Sequence, residues 1–393
     1  MPTLFLIVFV DLVGFGVIIP LLPFYGEHFQ ASPATVGLLM ATYSLAQFVS
    51  APLLGRLSDR VGRKPVLSVS LAGAAASYLL LAFASELWML FVARAIGGLM
   101  AGNISTAFAY VADVTTPANR AKGMGLIGAA FGLGFIFGPA IGGVLAGNDP
   151  ASADFQSPAL AAFALSALAL ILCLTVLKES LTPEVRARHG ASRASRWQWL
   201  RQALADPGVR LILAMSFLAT FVFAGMETTF AMWSRRQFGW GPEQNGYLFA
   251  FVGGLTAVIQ GGLVGRLSRA FGERKLVGIG SALLALGMLL IAFSASLWLL
   301  LVAMAAVAAG FSMVTPALNS LLSLQVDAGA QGGMMGLARS ATTMARILGP
   351  GFAGLLFDLL GKDWPFYAGA AIMVVVMLMA MRPPAAVAAA AKP

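Results

Sequence analysis

Long apolar runs punctuated by short polar stretches dominate the chain. Twelve of them are long enough to cross a membrane, which takes about 20 residues at 1.5 Å per residue. They are read at 3–24, 35–55, 65–84, 87–112, 121–145 and 158–177, then at 209–230, 243–264, 275–294, 297–321, 332–356 and 364–381. Neither strand alternation nor a soluble helix's one-sided stripe accounts for runs that are apolar all round. The expected fold class is an all-α membrane protein of two pseudo-symmetric six-helix bundles. Its parts are an N-terminal bundle (1–178), a linker (179–208) with an interfacial helix or a solvated connector, a C-terminal bundle (209–382) and a tail (383–393).

Composition strengthens this picture. The 393 residues are 59% hydrophobic and only 10% charged, whereas a soluble domain carries roughly 25% charged residues. Forty-four glycines and 19 prolines suit membrane helices that pack closely and bend. The net charge of +9 is a topology signal rather than a nucleic-acid surface. If the first span starts inside, the cytoplasmic segments hold 19 Lys or Arg and the external loops three, Arg235, Arg236 and Lys362. That asymmetry places both termini in the cytoplasm of an inner membrane, next to anionic lipid. Within the linker, Trp197, Leu200 and Leu204 fall near one helical face among Arg193, Arg196 and Arg201, as an interfacial helix requires. Cys173 is the only cysteine, and His28 and His189 stand apart, so the sequence offers no disulfide, metal cluster or catalytic pair. No cleavable leader is expected, because the apolar start runs past a signal peptide's reach.

The two halves echo each other. GRLSDRVGRKPVL (55–67) returns as GRLSRAFGERKLV (265–277), and FASELWML (83–90) as FSASLWLL (293–300), both shifted by 210 residues. Gly138-Pro139 returns as Gly349-Pro350, shifted by 211. Duplicated halves around a central path are a transporter architecture.

Charges inside the spans are the candidate chemistry, because an ionised group in lipid is costly unless it meets water or a partner. Asp11 and Arg94 come out at comparable depths and are expected to pair, as a fixed strut or as a switch. Glu227, in helix 7, is either a desolvated proton carrier or a partner of Arg235 or Arg236. Arg339 and Arg346 also lie within a span. Gln47, Asn103, Gln260 and Asn319 are polar residues inside spans that can line a cavity or bond to a neighbouring backbone. Asp59 is the one acid in the basic loop Gly55–Lys64, where it could accept from the first N–H groups of a neighbouring helix. GLGFIFGPAIGG (132–143) in helix 5 reads as a packing and bending segment.

GRLSDRVGRK (55–64) resembles the signature loop between helices 2 and 3 of the major facilitator superfamily. RAIGGLMAG (94–102) is similar to its helix 4 motif, GFIFGPAIGG (134–143) to the antiporter motif of helix 5, and DLVGFGVIIPLLP (11–23) to the first helix of tetracycline-efflux relatives. The resemblance, which covers nearly the whole chain, points to the drug:proton antiporter branch. It implies a conformational charge network of Asp59, Arg60, Arg63 and Asp113, proton coupling that involves Arg94, and a helix 5 interface made by Gly134, Gly138, Pro139, Gly142 and Gly143. Where tetracycline exporters carry further acids and a histidine, this chain has Ser77, Leu284 and Thr256; coupling then falls to Asp11 and Glu227. The expected activity is export of small amphiphilic molecules, driven by a proton gradient with no cofactor, by a monomer whose partners are its substrate and membrane lipids. A lipid or metabolite exporter and a non-transporting sensor are the alternatives.

Overall fold

The computed structural model describes residues 2–181, 196–327 and 330–381. Among them, twelve helices are long and apolar enough to span a membrane: Pro2–His28, Pro33–Val61, Arg63–Ala82, Leu87–Val114, Lys122–Ala146 and Gln156–Thr175, then Pro207–Phe238, Pro242–Phe271, Glu273–Ala292, Leu297–Gln325, Gln331–Leu360 and Trp364–Met381. We number them helices 1 to 12. The described residues contain no strand.

Local chemistry sets the ends. Ser32 accepts from the Thr35 N–H (3.3 Å) ahead of Pro33 at the start of helix 2, and Ser296 accepts from Leu299 (3.4 Å) at the start of helix 10. Each side-chain oxygen satisfies a donor that the first helical turn leaves open. Helices 2 and 3 are separated only by Gly62 (φ 116°, ψ 161°), and helices 8 and 9 only by Gly272 (φ 76°, ψ 152°). That backbone region is open essentially to glycine alone, and the two glycines stand 210 residues apart, so the sequence echo marks a duplicated hinge.

Several spans are irregular. Helix 1 tightens to a 3-10 turn at Ile19–Leu21 around Pro20. Helix 4 breaks into Leu87–Leu99 and Asn103–Val114, and helix 8 carries a π turn at Ile259–Leu263. Such departures free backbone groups and cluster at functional sites.

The chain groups into two compact units, one of Met1–Ala191 with Thr228–Gly254 and one of Ser192–Glu227 with Leu255–Pro393. In the first, helix 1 runs close along helix 5. A Cβ on Gly16 would stand 2.6 Å from the Gly134 carbonyl oxygen, and one on Gly138 2.6 Å from the Gly16 Cα. In the second, helices 7 and 11 repeat the arrangement: a Cβ on Gly349 would meet the Phe221 carbonyl oxygen at 2.5 Å, and one on Gly225 the Ala353 Cβ at 2.9 Å. Without a hydrophobic force between helices in lipid, close approach at small residues is what holds them.

The linker helix runs from Arg196 to Ala205. It packs on the start of helix 11, with the Trp199 indole over Gly333 and Ala203 buried, while Leu204 stays exposed. Arg193 and the side chains of Arg196 and Trp197 lie outside the described residues.

Candidate functional site

Asp11 sits in an otherwise apolar helix and is 5% exposed. Asn103 Nδ2 donates to its Oδ2, and the Ser166 hydroxyl, itself fully buried, donates to Oδ1 at 3.0 Å. Asn103 opens the second piece of helix 4, and its Oδ1 accepts from the Ile104 N–H at 2.8 Å. That bond turns the amide so that its NH₂ faces Asp11. The break in helix 4 thus delivers a neutral donor where an unbroken helix would carry its side chain elsewhere. Gln47 completes this region, donating to the Ala101 carbonyl at 3.5 Å.

Among the described residues the expected Asp11–Arg94 pair is not made: Asp11 is held by Asn103 and Ser166. Nine residues of helix 4, about 13 Å, separate Arg94 from Asn103, so the residue level with Asp11 is Asn103. The Arg94 guanidinium instead lies over the Tyr43 ring, 4.3 Å from its centroid. There the negative face of the ring stabilises a buried cation.

A second node gathers around the loop between helices 2 and 3. Arg63 is buried and donates to Asp59 Oδ1 (2.6 Å), Asp113 Oδ2 (2.9 Å) and the Ser58 hydroxyl (2.8 Å). Asp113 also accepts from Ser180 at 3.1 Å. Asp59, Arg63 and Asp113 therefore come together, while Arg60 is exposed. Asp59 bonds to Arg63 rather than to helix N–H groups. That role belongs to Glu179, just past helix 6, which the sequence reading leaves in the linker. Its carboxylate accepts from the backbone N–H groups of Arg63 (2.8 Å), Lys64 (3.0 Å), Ser180 (2.9 Å) and Leu181 (2.9 Å), two of them at the positive start of helix 3.

Partial burial of Glu179 raises its pKa, but these four donors outweigh it and hold the carboxyl below the usual glutamate range. A depressed carboxylate contributes stability that is present at neutral pH and is lost as pH falls through the lowered value. Glu179→Gln is accordingly expected to lower the melting temperature at pH 7, with the gap to the unchanged protein closing on acidification. Melting curves across pH check this; a gap that persists in acid contradicts it.

In the second unit, Glu227 is 10% exposed at its side chain and meets Arg346 Nη1 at 3.8 Å. A helix-borne cation thus faces the acid, which corrects the expectation of Arg235 or Arg236 as its partner. Arg235 and Arg236 go instead to Glu27, at 3.0 and 3.4 Å. The sequence reading missed Glu27, although an acid closing helix 1 and an Arg-Arg pair closing helix 7 were the visible signal. Gln260, in the π turn, and Asn319 are both exposed.

The model of the Major Facilitator Superfamily matches residues 4–272 and 261–393. This chain belongs to the major facilitator superfamily. It is 33% identical over 362 residues to the class H tetracycline resistance protein of Pasteurella multocida, covering 91% of this chain and 89% of that one. Multidrug resistance protein 2 of Bacillus subtilis (strain 168) is 31% identical over 372 residues, with 93% and 90% covered. The crystal structure of the human organic anion transporter MFSD10 (TETRAN) superposes with a TM-score of 0.72 at 28% identity, covering 97% of this chain and 98% of that one.

In this major facilitator protein the helix 5 segment serves two neighbours at once. Gly134, Gly138 and Gly142, four residues apart, face helix 1 at Leu12, Gly16 and Val17. Pro139 and Gly143, one position on, face the start of helix 8, where a Cβ on Gly143 would lie 2.8 Å from the Pro242 carbonyl oxygen and 3.0 Å from the Gly246 Cα. Two adjacent i, i+4 rows of small residues let two backbones approach one helix.

Proposed function

We propose that this protein is a proton-coupled secondary transporter that exports small amphiphilic, drug-like molecules by alternating access. Both termini would lie in the cytoplasm of an inner membrane, and the cycle would include no bond-making step. The observation that carries the reading is Asp11: a buried carboxylate in the first span, held by two neutral donors from helices 4 and 6. An intramembrane acid is a functional site by default. Ser166 can donate to a charged Asp11 or accept from a protonated one, so the node accommodates both protonation states. The family membership and the relatives named for tetracycline and multidrug resistance support the export direction. The Arg63 network is the proposed conformational lock, and the helix 5 glycines are the proposed close-packed seam.

Purified protein in liposomes, given a pH gradient and cationic, neutral and anionic amphiphiles in turn, should move protons in a substrate-dependent way. Proton movement that no compound alters would remove the coupled-export reading. In the same vesicles a cysteine at Ser152 should react with an impermeant reagent from the external side; protection there would reverse the orientation.

A further inference from the structure

Two arginines inside helix 11 are not absorbed by the roles above. Arg339 and Arg346 are seven residues apart, two helical turns, so they share one face at about 10 Å separation. Both are exposed, with Thr342 and Thr343 between them on that face. The opposite side of the helix exposes Leu348, Phe352, Leu355 and Leu359. In a membrane the leucine side takes the lipid. The arginine side then faces water, because bare guanidinium in lipid is strongly unfavourable. Beyond Arg346 the same face closes: Pro350, Ala353 and Phe357 are buried, and Ala353 lies against Gly225 of helix 7. The polar stripe therefore ends blind at Arg346, 15 residues or about 22 Å into the helix.

The charges on this stripe do not balance. Among the described residues no hydrogen-bond or ion-pair partner is present for the Arg339 guanidinium. Arg346 has Glu227 at 3.8 Å, beyond hydrogen-bond length. Two guanidinium groups offer about ten N–H donors and face one carboxylate. One positive charge is left over on a wet face backed by apolar helix. Its complement is a molecule with a single anionic head and an apolar body.

We propose that Arg339 and Arg346 recognise the anionic head of the transported substrate, a carboxylate, sulfonate or phosphate carried by an amphiphile, which replaces Glu227 as the partner of Arg346. This rests on the exporter reading. The same head chemistry occurs on anionic lipids, but Arg346 lies near the middle of a core about 30 Å thick, too deep for a headgroup at the rim. Arg339 makes the first contact and Arg346 the deeper one.

The test uses the full chain in phosphatidylcholine nanodiscs and three matched probes: naphthoate, naphthamide and naphthylmethyl-trimethylammonium. Naphthoate should bind tightest. Arg339→Gln and Arg346→Gln should each weaken it about ten- to hundredfold, the range for losing a charge-assisted contact, and leave naphthamide unchanged. Arg339→Lys should recover part of the loss, and Glu227→Gln should tighten naphthoate by removing the competing carboxylate. Melting temperatures, together with naphthamide binding, separate misfolding from loss of the site. Equal affinity for the three probes, or naphthoate binding indifferent to both arginines, overturns the inference while leaving the exporter reading standing. Binding of none of the three removes both. Displacement of naphthoate by phosphatidylglycerol added to the nanodiscs would make the occupant a lipid and also overturn it.

Discussion

Asp11→Asn is expected to abolish accumulation driven by a pH gradient while leaving downhill substrate exchange intact. For one proton exchanged per neutral substrate, a gradient of one pH unit sustains up to about tenfold accumulation, since one unit corresponds to about 1.36 kcal/mol. The variant should settle near a ratio of about one under the same conditions. Asparagine has the size of aspartate, and its oxygen can still accept from Asn103, so the buried node keeps its shape without a titratable group. Geometry separates the two candidate acids. Asp11 touches two neutral donors, whereas Glu227 faces the Arg346 guanidinium. A carboxylate with a fixed cation beside it has its charge already answered. One held by an amide and a hydroxyl can gain and lose a proton with only a hydroxyl rotation. Glu227→Gln is therefore expected to keep the original proton dependence. Substrate and proton fluxes measured on both variants decide the matter: retained uphill transport in Asp11→Asn, with loss in Glu227→Gln, would move coupling to helix 7.

Much of the scaffold is legible in the sequence because membrane spans are written in local composition. The apolar runs, the 210-residue echo and the small residues of helix 5 each depend on neighbours in the chain. Partner choice does not. Asp11 meets Ser166 across 155 residues, Arg63 meets Glu179 across 116, and Glu227 meets Arg346 across 119, separations at which composition carries no signal. Arg94 illustrates the failure. Its depth was read from an even helix, yet the break at Met100–Gly102 brings Asn103 to Asp11, and Arg94 turns to Tyr43. Glu179 was hidden for another reason: a polar residue after a span looks like linker until the helix start it caps is placed beside it.

The duplication preserves geometry more faithfully than charge. Ser58 and Arg63 return, 210 residues on, as Ser268 and Glu273. In both copies the serine hydroxyl bonds the residue five positions later, Ser58 to Arg63 at 2.8 Å and Ser268 to Glu273 at 3.0 Å. The first copy places a buried cation there and draws in Asp59 and Asp113. The second places an acid and satisfies it with Ser268 and with Ser320 at 3.2 Å. Hydroxyl partners can reorient at little cost. A buried ion pair cannot lose one member cheaply.

Arg63→Met is expected to destabilise the protein by about 3–5 kcal/mol, the range for breaking a buried pair by removing one partner. The Arg63 and Asp113 side chains are 2% and 1% exposed, so Asp113 would lose the Arg63 guanidinium where water cannot replace it. Asp59 is 53% exposed at its side chain, and Asp59→Asn should cost only about 0–1 kcal/mol. Both acids bond Arg63, so the contrast isolates burial from pairing. The double variant Arg63→Met with Asp113→Asn should recover part of the loss, because it removes the stranded charge along with the cation. Thermal unfolding of the five proteins, with Asp113→Asn alone included, in one detergent measures this. The single Arg63 variant should melt several degrees lower and the double variant should lie above it. An Arg63→Met melting temperature within about one degree of the unchanged protein, or a double variant at the sum of its parts, would mean that this network does not hold helices 2, 3 and 4 together.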